Sequence, residues 1–478
     1  MSDPFDTSAP VSSANEPAHK PSRLLWWLHP KVALPLLLFG LILFSPFLYR
    51  ASRIASVPEV GDPFDVEAFG TVDLASADNA ADVYASAARL YRTGSFSAED
   101  FNLDAVQEKG WPEASMTLRK WLDDNTAAMA EWRRGSELSE FVSVQPKDLT
   151  ITTDLEFVRR LRDFSRLTSL QTARCLHEGD VREAWAWQRA VLRTSRHCTQ
   201  HCSLIVRLIG AAIHASSFKD IERWAADSQV DESLLAQALR DVIELDVMTG
   251  ANSVALKSEY LWQMKLYDDP VLMAQYWSDV MGTSPKVSRP VLFLVGEPEY
   301  SRRLTRMLFH RWLREADVPS WSRLSTTTSP LTFKTPAGEE ITYSVAELDR
   351  RLIGPPSSLA RVVPPAIKSF EQALQREAVR RAALQQMLAS QLEFRRHGDW
   401  PSKPESLVPD ILSELIADPF GKAGETLLWR RDGDDLLIYS VGENGIDDGG
   451  DILNAPLDQG VRLKPPKKKS NHLSQEKP

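Results

Sequence analysis

The sequence predicts a mainly α-helical protein: a single N-terminal transmembrane helix, an α-helical body, and a small C-terminal α+β module with an antiparallel hairpin. Three observations lead there. An uncharged run, VALPLLLFGLILFSPFLY, lies between Lys31 and Arg50. From about Ala75 to Asp279 apolar residues recur every three or four positions, the period of an amphipathic helix. Near the carboxyl end, LLWRRDGDDLLIYSVGENGIDDGG joins two β-type runs to a glycine-spaced acidic loop.

Composition narrows the function classes. The chain has 478 residues, 43% hydrophobic and 25% charged, which are ordinary globular values with ample length to bury a core. A net charge of -9 lacks the dense basic face that phosphate contacts require, so no nucleic-acid partner is expected. Only KPPKKK, Lys464 to Lys469, is strongly basic; it reads as a solvated terminus, with anionic lipid or an acidic partner as the alternative. Cys175, Cys198 and Cys202 are too few and odd in number for a disulfide framework.

Residues 1–23 read as a disordered lead and 24–50 as the anchor, with residues 32–49 facing the lipid bilayer and Trp26 and Trp27 at an interfacial position. Pro35 and Pro46 lie near the ends of the apolar run, where a membrane span tolerates them. The polar lead is long for a signal peptide and no small-residue cleavage site follows, so the helix is read as uncleaved. Lys20, Arg23 and Lys31 before the span against Arg50 and Arg53 after it favour a cytoplasmic amino terminus and an exported body, single-pass in a bacterial inner (cytoplasmic) membrane.

Residues 51–74 read as a linker and 75–366 as the mainly helical body. In DLEFVRRLRDFSRLTSLQTARCL, Phe157, Leu161, Phe164 and Thr168 share one face while Arg159, Arg162 and Arg166 point elsewhere. Gly179 can end this helix in a left-handed cap, and Asp180 with Glu183 opens the next, VREAWAWQRAVLRTSR. This pair resembles one helical hairpin of the tetratricopeptide kind; the pattern does not recur at the repeat distance, so irregular helical packing is expected.

HCTQHC gathers metal-type ligands: on a helix His197 pairs with His201 and Cys198 with Cys202. Cys198, Cys202, Ile205, Ile209 and Ala212 also form a helical stripe, which makes the cysteines core residues on the reading we favour. LTFKTPAGEEITYSV predicts a hairpin insertion near 331–345, turning at Pro336 to Gly338, and IGPPSSLARVVPP reads as a linker or extended crossing before the long helix that starts near Ala366. Phosphate-loop, dinucleotide, nucleophile-elbow and H-E-x-x-H patterns are missing from the sequence; Ser216 and Lys219 match S-x-x-K without its partner motifs.

Residues 367–455 form the last folded unit and 456–478 a disordered basic tail. Gly398 stops the long helix, Asp418-Pro419-Phe420-Gly421 makes a turn, and Leu427 to Arg431 and Leu436 to Val441 read as strands joined through Asp432-Gly433. The succession Gly398, Trp400-Pro401, Asp418 to Gly421, Tyr439-Ser440-Val441-Gly442 and the loop to Gly450 resembles the carboxy-terminal domain of the major pseudopilin of type II secretion systems, over residues 385–451. The same tail is similar to that of membrane-anchored bacterial proteins with helical bodies. A pseudopilin carries its apolar helix immediately before this domain; here the whole helical body intervenes, so the resemblance implies a fold module on an anchored protein and not a pilus subunit. It also implies that Asp447, Asp448 and Asp451 are candidate calcium ligands, with an exposed acidic turn as the alternative.

The function expected is a membrane-anchored, non-enzymatic envelope protein mediating contacts with protein partners, linked by the resemblance to secretion or surface machinery. The rival is an exported membrane-bound enzyme whose site is assembled from scattered residues such as His214, Glu259 or His310.

Overall fold

The computed structural model describes residues 30–97, 101–149, 156–281, 290, 292–323, 328–352, 358–422, 424–452 and 457–466. The 1–23 lead, Trp26, Trp27 and the tail from 467 onward lie outside the described residues.

Helix α1 spans Pro30–Ala55, 26 residues with both Pro35 and Pro46 inside it. At about 1.5 Å per residue it is about 39 Å long, against a hydrocarbon core of about 30 Å. Its Ala33–Ala55 stretch, mean hydropathy 1.7, is long and apolar enough to cross a membrane, and none of its most apolar part is covered by the rest of the chain. The helix outlasts the apolar run and ends on the body. Arg50 donates to the carbonyls of Phe293 and Glu297 and lies 4.3 Å from the Phe293 ring centre, and Arg53 sits 4.4 Å from that of Tyr300. The expected 51–74 linker is therefore corrected to a packed segment. Val57 and Val60 are buried against Tyr300, Leu304 and Phe333, and α2 (Val66–Gly70) follows, because apolar residues in this stretch find a core to enter.

The body opens with α3 (Ala80–Leu90), α4 (Leu103–Lys109), α5 (Met116–Asp124) and α6 (Thr126–Ser136), α3 lying against α6. Next come α7 (Glu156–Glu178), α8 (Val181–His197), α9 (Leu204–Ala225) and α10 (Glu232–Val247). Helices start where side chains can satisfy the free amides of the first turn: Asn79, Ser115, Asp180, Ser203 and Asp231 each accept from an amide two or three residues on. The α7–α8 hairpin is as expected, with Gly179 at φ +81° and Leu161, Phe164 and Thr168 buried. Then α11 (Asn252–Asp268), α12 (Pro270–Met281) and α13 (Glu299–Ala316) lead to the hairpin β1 (Leu331–Lys334) and β2 (Glu340–Tyr343), paired Leu331 to Tyr343, and to α14 (Val345–Leu352).

Helix α15 runs Ser358–His397, 40 residues. It begins eight residues before the expected Ala366, so part of the expected extended crossing is instead helix. Pro364 and Pro365 are its seventh and eighth residues, past the first turn, where each removes an amide donor from the helix ladder. Gly398, at φ +77°, ends it, and Trp400 packs on Phe394 with ring centres 4.6 Å apart.

Strands β3 (Leu428–Asp432), β4 (Asp435–Ser440) and β5 (Gln459–Leu463) form an antiparallel sheet in that order. The turn is Gly433-Asp434, one residue later than expected, since Gly433 supplies the positive φ of +61°. Strand β5 corrects the expectation of a disordered tail from 456: Val461 and Leu463 alternate with Arg462 and are buried. Leu436, Ile438, Val461 and Leu463 belong to the same contiguous core as the body, so the tail is packed onto α15 through one shared interior.

Candidate ligand cleft between the helical body and the tail

The residues singled out in the sequence are dispersed. Helix α8 ends at His197, and His201 adopts φ +42°, so HCTQHC is a turn between two helices and the expected stripe is broken. Cys198 and Cys202 are core residues at 0% and 1% exposure, whereas Ile205 beyond the turn is 50% exposed. His197 has both ring nitrogens engaged, by the Tyr84 hydroxyl at 2.8 Å and the Leu138 carbonyl at 2.9 Å, and burial pulls its pKa down to about 4. It is a neutral core histidine.

Asp447 accepts from the Tyr439 hydroxyl and the Gly449 amide, Asp448 from Asn444, and the Asp451 carbonyl from the Asp458 amide. Among the described residues no group of three or more His, Cys, Asp or Glu is placed to hold a metal ion. The acid that organises this loop is Asp458, fully buried, which accepts from the Gly450 amide at 2.7 Å and the Asp448 amide at 3.4 Å. Sequence reading missed it because it lies past the glycines, next to a strand that was not expected.

His214, Glu259 and His310 lie on three helices, α9, α11 and α13, and are not among any group of three or more His, Cys, Asp or Glu placed to hold a metal ion among the described residues. His310 faces the Gly61 carbonyl at 3.2 Å, and Glu259 accepts from Gln263 with burial raising its pKa. His214 is buried beside a charge network in the core. Arg196 Nη1 donates to Glu377 Oε1 at 2.8 Å, and Arg207 Nη1 stands 2.6 Å from Glu377 Oε2 at an angle that leaves it without a hydrogen bond. Arg196 also reaches Asp246, which accepts from Gln385 at 2.6 Å. Burial alone would push the Glu377 carboxyl up; Arg207 and Arg196 outweigh it and hold the pKa near 2. Burial pulls Arg196 down, and Glu377 and Asp246 restore part of the loss. Burial also holds His214 well below the usual histidine range, so it stays neutral, and neither ring nitrogen has a hydrogen-bond partner among the described residues.

A solvent-reaching cleft of about 770 Å³ opens where α9, α15 and the tail meet. Phe218, Val379, Leu457 and Val461 give it apolar walls, and Lys219, Arg376, Arg380 and Arg462 bring positive charge. The tail's loop is pinned beside it by Gly442 at φ +65°, where an added Cβ would stand 2.3 Å from the Leu457 carbonyl oxygen. Two of the cations are already spent: Arg376 pairs with Glu443 at 2.6 Å and Arg462 with Asp432 at 2.5 Å. Arg380 and Lys219 make no hydrogen bond or ion pair among the described residues. Burial lowers the Arg380 pKa and the neighbouring Arg376 charge lowers it further, with the Glu377 carboxylate opposing both. Burial pushes the Glu222 carboxyl in the same cleft up to about 7, with Lys464 and Lys219 opposing.

Of the S-x-x-K pair, Lys219 lines the cleft while Ser216 bonds to Ser165 at 2.8 Å. A smaller pocket of about 310 Å³ lies between α13 and α15, with Trp321, Phe370 and Leu374 in its lining and Arg323 3.6 Å from Glu371. No signal in the sequence joins 215–222, 376–383 and 457–462; only an accounting of unmatched cations would have found the larger site. Compared with protein-family models, curated proteins and solved structures, the chain finds no match.

Proposed function

We propose that this chain is an envelope protein of a bacterial inner membrane, held by one span with its body exported, and that the body mediates protein contacts. The observation that carries the reading is the cleft: a large opening with apolar walls and two unmatched cations, on a body fixed to the foot of an apolar helix. The basic residues before the span support the orientation. The likeness of the tail to a pseudopilin module supports secretion or surface machinery as the partner class.

Crosslinked affinity purification of the tagged full-length chain from native membranes tests it, scored against a tag-only control. Reproducible partners from secretion or surface machinery are expected; a clean preparation would sink the contact role. For orientation, protease should digest the body from the outer face, and digestion confined to inside-out vesicles would reverse it.

A second reading, an exported enzyme, draws on Glu222, whose pKa near 7 suits general acid–base work. Turnover abolished by Glu222→Gln in a hydrolase screen would favour it.

A further inference from the structure

We propose that the cleft takes an acidic protein segment in extended form, which adds a strand to the edge of β5 opposite β4, unpaired among the described residues, and sets a carboxylate on Arg380. The proposal rests on the contact reading and names the chemistry of the partner.

Gln459, Gly460, Val461 and Arg462, four consecutive residues of β5, all line the cleft. Side chains of a strand alternate between faces, so a cavity lying over one face would meet every second residue. Contact with all four places the cavity along the strand's edge. In the order β3-β4-β5, this strand is paired with β4 alone among the described residues, and no backbone bond outside that ladder engages residues 459–463. An unpaired edge is a template for another strand, and main-chain bonds made there give affinity without regard to side chains.

Charge selects the occupant. Glu443 neutralises Arg376, Asp432 neutralises Arg462, and the Asp458 carboxylate is occupied by backbone amides. Arg380 and Lys219 remain, with Glu222 half protonated near neutrality. A guanidinium recovers its lost hydration best from a carboxylate or phosphate, which it grips in a bidentate fork. The open backbone edge favours a peptide over a lipid headgroup or free phosphate, neither of which has amide groups to pair with it. Phe218, Val379 and Leu457 can cover the apolar residues of an alternating segment.

The test uses the full-length chain in nanodiscs of zwitterionic lipid, with fluorescence anisotropy of a labelled nonapeptide alternating valine and glutamate. Saturable binding is expected. Binding should vanish when lysine replaces glutamate, and it should weaken at least about tenfold when alternate amides are N-methylated or in Arg380→Gln, the scale of a lost charge-assisted hydrogen bond. Lys219→Gln, on an exposed side chain, should weaken binding more modestly and guards against misfolding of the first variant. The proposal falls if the acidic peptide does not bind, if both variants bind it as wild type does, or if inorganic phosphate or phosphatidylglycerol vesicles bind through Arg380 where the peptide does not. Partners captured from membranes by wild type and equally by Arg380→Gln would leave the contact role standing and remove the cleft from it.

Discussion

Replacing Glu377 by glutamine should destabilise the body by about 3 kcal/mol at pH 7. The carboxylate faces Arg196 and Arg207, each 2% exposed, while itself fully buried. Its pKa falls from 4.5 to about 2 on folding. At about 1.4 kcal/mol per unit, that shift amounts to roughly 3 kcal/mol of stability. Breaking a buried pair by removing one partner costs about 3–5 kcal/mol in general, which agrees. Because the folded pKa lies below the unfolded one, the contribution is complete above about pH 4.5 and is lost as pH falls toward 2. Urea unfolding followed by tryptophan fluorescence would measure it, with Glu377→Gln compared to wild type at pH 7, 5 and 3. The gap should be largest at pH 7 and narrow at pH 3. A variant within 1 kcal/mol of wild type at pH 7, or a gap that does not move with pH, would refute the reasoning. The triple change Arg196→Met, Glu377→Leu, Arg207→Met removes all three charges together and should recover much of the loss.

Glu222→Gln should act in the opposite sense: a folded pKa near 7 against 4.5 means wild-type stability drops as pH rises between those values, so the variant should gain up to about 3 kcal/mol at pH 8 and nothing at pH 4, read from thermal melts. Gly210→Ala should cost about 1–3 kcal/mol, because its new Cβ would stand 2.6 Å from the Cys198 Cβ and 2.8 Å from the Ser195 carbonyl oxygen; the urea midpoint checks this. The three cysteines are buried and burial raises their thiol pKa values, that of Cys175 to about 11, so a thiol reagent should label almost none in the native protein and all three in denaturant. Rapid native labelling of Cys198 or Cys202 would mean the α8–α9 turn opens. Asp458→Asn should loosen the 447–451 loop, raising amide exchange at Gly450 without a change in helix content.

Much of the architecture was legible because its signals are local. The apolar helix α1 follows from the uncharged run, the α7–α8 hairpin from Gly179 and Asp180, and the β1–β2 and β3–β4 hairpins from alternation around Gly338 and Gly433. Expectations failed where the determinant lay elsewhere in the chain. Residues 51–74 are packed because Tyr300 and Phe333 supply a surface for Val57 and Val60. Strand β5 forms because β4 offers an edge and α15 a face to cover Val461 and Leu463, and five residues alone could not announce that. The HCTQHC stripe broke because one left-handed residue, His201, resets the helical phase.

The sequence by itself determined a membrane-length apolar helix, a helical body and a glycine-rich β tail, since period, caps and turn residues act over a few positions. Only the tertiary structure decided that Arg196 and Arg207 close on Glu377, that Asp458 and not the neighbouring aspartates holds the loop, and that Lys219, Arg380 and β5 share one cleft. Charges separated by more than a hundred residues carry no mark of their partners. Which of them stay unmatched depends on where packing brings the chain together.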